Sequence, residues 1–223
     1  MKLVKRIPSG AGLGGGSSDA AATLWALNQL WGLGWTTPQL IALAAQLGSD
    51  VPFFLHGGTA LVEGRGDRVT PLPELPPRWV VLLTAASNLP EKTAVLYRAL
   101  TSADYSDGSA SHRLVERLSS GADLTETSLV NAFDRPARGL FPQLEQHRRV
   151  LHAAGATETH LSGSGPTLFS LERTAEDARR VASFLSATHT VVYVAETTSG
   201  CLFHKSRRHR SEDACSGADS PSA

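Results

Sequence analysis

The chain has 223 residues, of which 41% are apolar and 19% charged, which is enough for one large or two smaller folded domains and excludes a disordered chain or a disulfide-stapled miniprotein. Its 21 basic side chains balance 21 acidic ones, so there is no basic footprint for a nucleic-acid partner. The two cysteines, Cys201 and Cys215, sit near the C-terminus, and Met1, Lys2, Lys5 and Arg6 run straight into proline and glycine without an apolar leader. Together these predict a cytoplasmic protein in a reducing compartment.

Between Arg6 and Glu63 there is no lysine or arginine, and the only acids are Asp19 and Asp50. A bilayer span would need about 20 consecutive apolar residues, but Asn28, Gln29, Gly32, Gly34, Thr36, Thr37, Pro38 and Gln39 interrupt the stretch. No membrane partner is therefore expected. The pattern predicts two buried helices, the first from about Ser18 to Trp31 and the second from Thr37 as N-cap, with Pro38 at its first position, to Gly48.

Val51 to His56 is short and apolar, and Thr59–Glu63 with Arg68–Leu72 predicts a β-hairpin around Gly64, Arg65, Gly66 and Asp67. A proline-rich run places a domain break near residues 73–78, and Trp79–Leu83 follows as a buried strand. Helices are predicted near 91–100, 111–119, 141–154 and 175–186, with strands near 158–162, 167–171 and 190–195, an α+β order. Residues 204–223, with Lys205, Arg207, Arg208 and Arg210, lose apolar content and are expected to be a disordered tail. The domains expected are thus 1–75 and 76–203.

The chemistry-bearing segment is Pro8, Ser9, Gly10, Ala11, Gly12, Leu13, Gly14, Gly15, Gly16, Ser17, Ser18, Asp19, directly ahead of a helix. Glycine lets backbone amides approach an anion, and a helix start adds unpaired N–H donors, so phosphate is the natural ligand. Gly10, Gly12 and Gly15 formally make G-x-G-x-x-G, but the uncharged stretch lacks the acid about 20 residues on that a dinucleotide ribose requires. No Gly-Lys-Ser or Gly-Lys-Thr makes a Walker loop either. Phosphate charge must then be met by amides and by Mg²⁺, for which the Ser17 or Ser18 hydroxyl is a contact, Ser18 being the metal candidate. The alternative is that Ser17, Ser18 and Asp19 cap the helix. A serine hydrolase is excluded because neither Ser17 nor Ser164 lies in G-x-S-x-G.

Pro8 to Ala22, the Gly48-Ser49-Asp50-Val51-Pro52-Phe53 run and the late Leu161-Ser162-Gly163-Ser164-Gly165 run, in that order, resemble the GHMP small-molecule kinases over roughly residues 1–200. The resemblance implies a two-domain fold, a ribosomal protein S5 domain 2-like N-terminal domain followed by a ferredoxin-like C-terminal one. It also implies ATP as cofactor, its phosphates wrapped by Pro8 to Ser18, and Asp50 as the catalytic aspartate facing the acceptor hydroxyl. The Gly163-Ser164-Gly165 turn would close over the active site, and Thr93 falls where the family places substrate-lining residues. The first two runs are most similar to the member that phosphorylates the 2-hydroxyl of a cytidine-diphosphate-linked methylerythritol in non-mevalonate isoprenoid synthesis. A homoserine or mevalonate type of kinase, or a noncatalytic nucleotide-binding protein of the same fold, are the alternatives.

Asp50 is one of two charges in its stretch, placed between a helix end and Val51-Pro52, where a carboxylate facing apolar surroundings carries a cost that a function would justify. The bland alternative is a cap for the short helix at Pro52. Pro8 falls some eighty to ninety residues into the family pattern, so a chain starting at Met1 is expected to lack several strands, the lysine that pairs with the aspartate and the cytosine-gripping residues. An uncovered sheet edge and poor activity are the corresponding expectations.

Overall fold

The computed structural model describes residues 2–85, 89–124, 129–186 and 191–200. Both cysteines and the basic tail lie outside the described residues. Two compact units emerge: the N-terminal segment up to Gly16 together with Leu75–Thr198, and Ser17–Glu74 together with residues from Ser199 on. The expected break near 73–78 lies beside the change of unit at Leu75, whereas the N-terminal segment groups with the later half.

The larger unit is built on a four-stranded antiparallel sheet of β3 (Trp79–Thr84), β4 (His160–Leu161), β5 (Leu168–Glu172) and β6 (Val191–Glu196), in the order β4-β5-β3-β6. With α4 (Lys92–Ala99), α5 (Ser109–Ser119), α6 (Asp134–Leu140) and α7 (Leu144–Ala153) between β3 and β4, and α8 (Ala175–Ser186) between β5 and β6, this is the β-α-β-β-α-β arrangement of ferredoxin-like domains. Period-two alternation turns Val81 and Leu83 of β3 inward. Their antiparallel partners Ser170 and Leu168 share that face, and Ala178, Val181 and Leu185 supply the helical stripe of α8. Thr174 anchors the start of α8, its Oγ1 accepting from the Asp177 N–H at 3.1 Å.

The predicted elements at 91–100, 111–119 and 175–186 are present, but the helix expected from 141 begins at Leu144 and the strand near 158–162 shrinks to two residues. Two elements were not predicted, a 3₁₀ turn at Ser102–Asp104 and α6. Within α6, Pro136 and Gly139 read as breakers, yet proline is tolerated in a first turn, and here Pro136 and Ala137 are buried.

The second unit holds most of α1 (Gly15–Leu30), α2 (Thr37–Leu47), α3 (Val51–His56) and the hairpin β1 (Ala60–Glu63)–β2 (Arg68–Pro71). The N-cap of α2 is Thr36 instead of Thr37, because Thr36 is where the Gln39 carboxamide returns, its Oε1 accepting from the Thr36 N–H at 2.8 Å. The uncharged helices are also less buried than expected: Ala21, Leu40, Ala44, Val51 and Leu55 form the core, while Leu30 and Trp31 are 75% and 63% exposed. Absence of charge therefore overstated burial, since the apolar residues outnumber the positions on the packed stripe. Asn28, read from sequence as a mere interruption, is 5% exposed and joins α1 to the approach of α2. Its Nδ2 donates to the Trp35 carbonyl and its Oδ1 accepts from the Trp35 N–H, both at 3.0 Å. Among the described residues no helix is long and apolar enough to cross a membrane.

Replacing Asn28 by Ala removes both bonds at once, and a buried amide pair of this kind is worth about 1–2 kcal/mol. Urea denaturation followed by tryptophan fluorescence should show a lowered midpoint of that size with an unchanged slope; an unchanged midpoint would contradict the role.

Candidate active site

The glycine segment forms a loop ahead of α1 in which Ser9 and Gly10 are exposed, Ala11 is buried and Gly12 to Gly14 are half-buried, with Gly10, Gly12 and Gly14 at φ of 69°, 78° and 65°. Alternating left-handed residues reverse the backbone repeatedly, the geometry by which successive amides gather around an anion. The helix begins at Gly15, earlier than the Ser18 predicted. Within that helix Gly15 is a glycine for a packing reason, since a Cβ there would lie 2.7 Å from the Ile7 side chain. Consequently Ser17, Ser18 and Asp19 are inside the helix and are not its caps. The Ser18 hydroxyl rides on the first turns, next to the end that carries the partial positive charge of the helix dipole.

Within the same unit, the third sequence motif packs on this loop. Ser162 Oγ donates to the Gly12 carbonyl at 2.9 Å. A Cβ on Gly12 would be driven into the Ser162 carbonyl and would lie 2.8 Å from the Gly165 carbonyl, and one on Gly163 would lie 3.0 Å from the Gly12 carbonyl. The turn itself is closed by Gly165 N–H donating to the Ser162 carbonyl at 2.8 Å and Ser162 N–H to Thr167 at 2.9 Å.

Thr93 lies beside this turn, its Oγ1 3.3 Å from Ser164 Oγ. Two further residues were missed. Asn131 donates from Nδ2 to the Leu161 carbonyl at 2.9 Å and the Gly163 carbonyl at 2.8 Å, while its Oδ1 accepts from the Phe133 N–H. Nothing in the sequence marked that asparagine. Lys92, 8% exposed, donates from Nζ to the Gly165 carbonyl and lies 3.5 Å from the Ser164 carbonyl. Burial pushes the ammonium down from its ordinary 10.5 to about 8. The only available signal was adjacency to Thr93.

Asp50 belongs to the other unit, where it occupies the N-cap position of α3 without a side-chain capping bond. It is exposed, so the expectation of a carboxylate facing apolar surroundings is corrected, and so is the alternative of a capping side chain. Pro52 in the first turn of α3 fixes the backbone that follows. The hairpin turn presses on the residue before it: a Cβ at Gly66, φ 96°, would collide with the Ser49 carbonyl. A cavity of about 450 Å³ lined by Gln46, Gly48, Ser49, Arg65 and Asp67 lies alongside. The structure thus brings together the glycine loop up to Gly16, the Gly163–Gly165 turn and Thr93 in one unit, and counts Ser17, Ser18 and Asp50 in the second.

Among the described residues no group of three or more His, Cys, Asp or Glu side chains could hold a metal ion. A single hydroxyl such as that of Ser18, the metal candidate from the sequence, is no protein cage, and a cation beside it would have to draw most of its oxygens from a phosphate ligand.

Comparison with known proteins agrees with the motifs. The family of GHMP kinases N terminal domains matches residues 1–58, and that of GHMP kinases C terminal domains matches residues 113–190. A 4-diphosphocytidyl-2-C-methyl-D-erythritol kinase of Dehalococcoides mccartyi is 44% identical over 198 residues, 88% of this chain and 69% of that protein. The protein of the same description from Pelotomaculum thermopropionicum is 40% identical over 199 residues, 88% of this chain and 68% of its own length. A crystal structure of 4-(cytidine 5'-diphospho)-2C-methyl-D-erythritol kinase superposes with a TM-score of 0.71 at 38% identity, covering 88% of this chain and 69% of its own. Homoserine kinase from Cytophaga hutchinsonii shares the fold alone, at a TM-score of 0.64 and 21% identity over 88% of this chain and 68% of its own.

Two measurements test this geometry. Gly12→Ala forces an L-residue to positive φ, costing about 1–2 kcal/mol, and drives Cβ into the turn; a denaturation midpoint lowered by at least that much is expected, and an unchanged one would deny the contact. For Lys92, the folded pKa near 8 lies below the unfolded 10.5, so between those values the unfolded chain holds a proton the native state lacks and stability rises with pH. The stability of the protein relative to Lys92→Met should therefore climb from pH 8 to 10.5, and a flat difference would contradict the burial.

Proposed function

The chain belongs to the GHMP kinases, which use ATP, and from that premise we propose that it phosphorylates the 2-hydroxyl of 4-diphosphocytidyl-2-C-methyl-D-erythritol in isoprenoid synthesis. The observation that carries the reading is the 44% identity over 198 residues to a protein described as that kinase. The loop geometry supplies a physical reason for a phosphate ligand. In this reading Pro8 to Ser18 receive the ATP phosphates: the left-handed glycines turn amides toward them, and the start of α1 contributes about 0.3–1 kcal/mol of favourable dipole interaction per charge.

Mg²⁺ is part of the proposal, with the Ser18 hydroxyl holding it, and when bound it neutralises phosphate charge. Asp50 orients the acceptor hydroxyl and accepts its proton as the new O–P bond forms and the bond to the ADP oxygen breaks. Because positioning and charge compensation dominate phosphoryl transfer, a carboxylate suffices as the base. Gly163, Ser164 and Gly165 close the phosphate end and Thr93 lines the substrate side. A division into domains at 1–75 and 76–203 with a tail at 204–223, and a cytoplasmic location, belong to the same reading.

Supplying the cytidine-linked alcohol, homoserine and mevalonate in parallel, with ADP release as the readout, tests the substrate. At least tenfold higher kcat/KM for the cytidine compound is expected. A preference for either other alcohol would overturn the assignment, and ATP binding without transfer to any of them would favour a noncatalytic nucleotide-binding protein. Asp50→Asn should lower kcat by about 10²–10⁴-fold while ATP affinity stays within twofold; retained turnover would remove Asp50 from the role.

A further inference from the structure

Lys92 stands out among the buried polar groups, because the proposed chemistry does not use it. Among the described residues no carboxylate forms an ion pair with it, and its ammonium is directed at two backbone carbonyls, those of Ser164 and Gly165. A buried ammonium without a counter-ion weakens the folded state, so packing alone would favour a methionine at this position.

The backbone around it points the same way. Glu91, the residue just before, has φ 47° and is the one non-glycine residue at positive φ among those described. A left-handed side-chain-bearing residue costs about 1–3 kcal/mol, and such strain gathers where surrounding structure holds a functional geometry. Glu91 is also the N-cap residue of α4, and Lys92 is its first residue. The strained step therefore sets where the lysine stem leaves the helix.

The target of the ammonium matters. The Ser162–Gly165 turn is held by Asn131 at the Leu161 and Gly163 carbonyls, by Lys92 and Thr93 at Ser164 and Gly165, and it reaches the Gly12 carbonyl through Ser162 Oγ. We infer that Lys92 is a positioning residue for phosphoryl transfer: by drawing in the Ser164 and Gly165 carbonyls it seats the turn against Gly12 and so fixes the loop that receives the ATP phosphates. This inference rests on the kinase reading above. The lysine acts through the turn, so it governs how well the bound phosphates are aligned more than how tightly the alcohol binds.

Lys92→Met keeps the stem and removes the ammonium. Expected is a kcat lower by about 10- to 100-fold, the size of effect that small misplacements produce, with KM for the alcohol within twofold. Amide hydrogen exchange of the peptide spanning residues 161–167 should be faster, and the melting temperature at pH 7 should not fall. In a double-mutant cycle, Ser162→Ala combined with Lys92→Met should lose little beyond Lys92→Met alone, because both act through one contact. Unchanged kcat and exchange in Lys92→Met, or fully additive losses, would overturn the proposal, as would a kcat loss fully matched by a lowered melting temperature. If Lys92→Met does not fold, Lys92→Gln, whose shorter neutral amide can only partly replace the ammonium at these carbonyls, should show a smaller kcat loss with exchange of the same peptide still faster than in the unmodified protein, and no change in either would overturn the proposal. Should the unmodified protein transfer no phosphate to any alcohol, the kinase reading fails by itself, and hydrogen exchange still decides whether Lys92 holds the turn.

Discussion

The larger unit depends on one close approach. Gly12 and the Ser162–Gly165 turn meet backbone to backbone, at separations that leave no room for a Cβ on Gly12 and little on Gly163. Two segments 150 residues apart are thereby fixed to one another by a contact in which side-chain chemistry plays almost no part beyond the Ser162 hydroxyl. Contact of this kind is unforgiving, because a single methyl group displaces a carbonyl. It also explains one glycine on each side: Gly12 and Gly163 are each required by the opposite segment as much as by their own φ.

That reciprocity shows what sequence can and cannot reveal. The loop was legible because five glycines ahead of a helical run have few other meanings, and the late Gly-Ser-Gly turn because it follows a strand. Their mutual contact was not, since spacing along the chain carries no information about which distant turn fills the space beside a glycine. The start of α1 was misplaced for a related reason. Glycine has poor intrinsic helix propensity, so Gly15 and Gly16 read as loop, whereas the crowding of Gly15 by Ile7 selects a residue without a side chain inside the helix.

Charge was similarly half-legible. The stretch without cations predicted that an anionic ligand would be met by amides, and the alternating left-handed glycines fit that expectation. The same stretch was taken to mean burial, which the exposed Leu30, Trp31 and Leu47 contradict. Composition reports what a helix can bury; the packed stripe, here running through Ala21 and Asn28, decides what it does bury. Asp50 follows this pattern. Its rarity in sequence singled it out, while its exposure at the head of α3 removes the argument from an apolar environment and leaves the argument from position.

Lys92 was the least legible residue, and the reason is general. A lysine next to an acid at a helix start reads as a solvated pair, since a long cationic side chain is seldom buried. Only the fold shows the ammonium turned away from solvent and onto carbonyls 72 and 73 residues further along. Its burial opposes its own charge, and the strained Glu91 beside it opposes relaxation of the backbone, so two locally unfavourable features converge on one turn. Stability gives no reason for such a convergence. A glycine-rich turn has too few side chains to hold its own shape, and an external cation gripping its carbonyls supplies rigidity without placing bulk where Gly12 must come close.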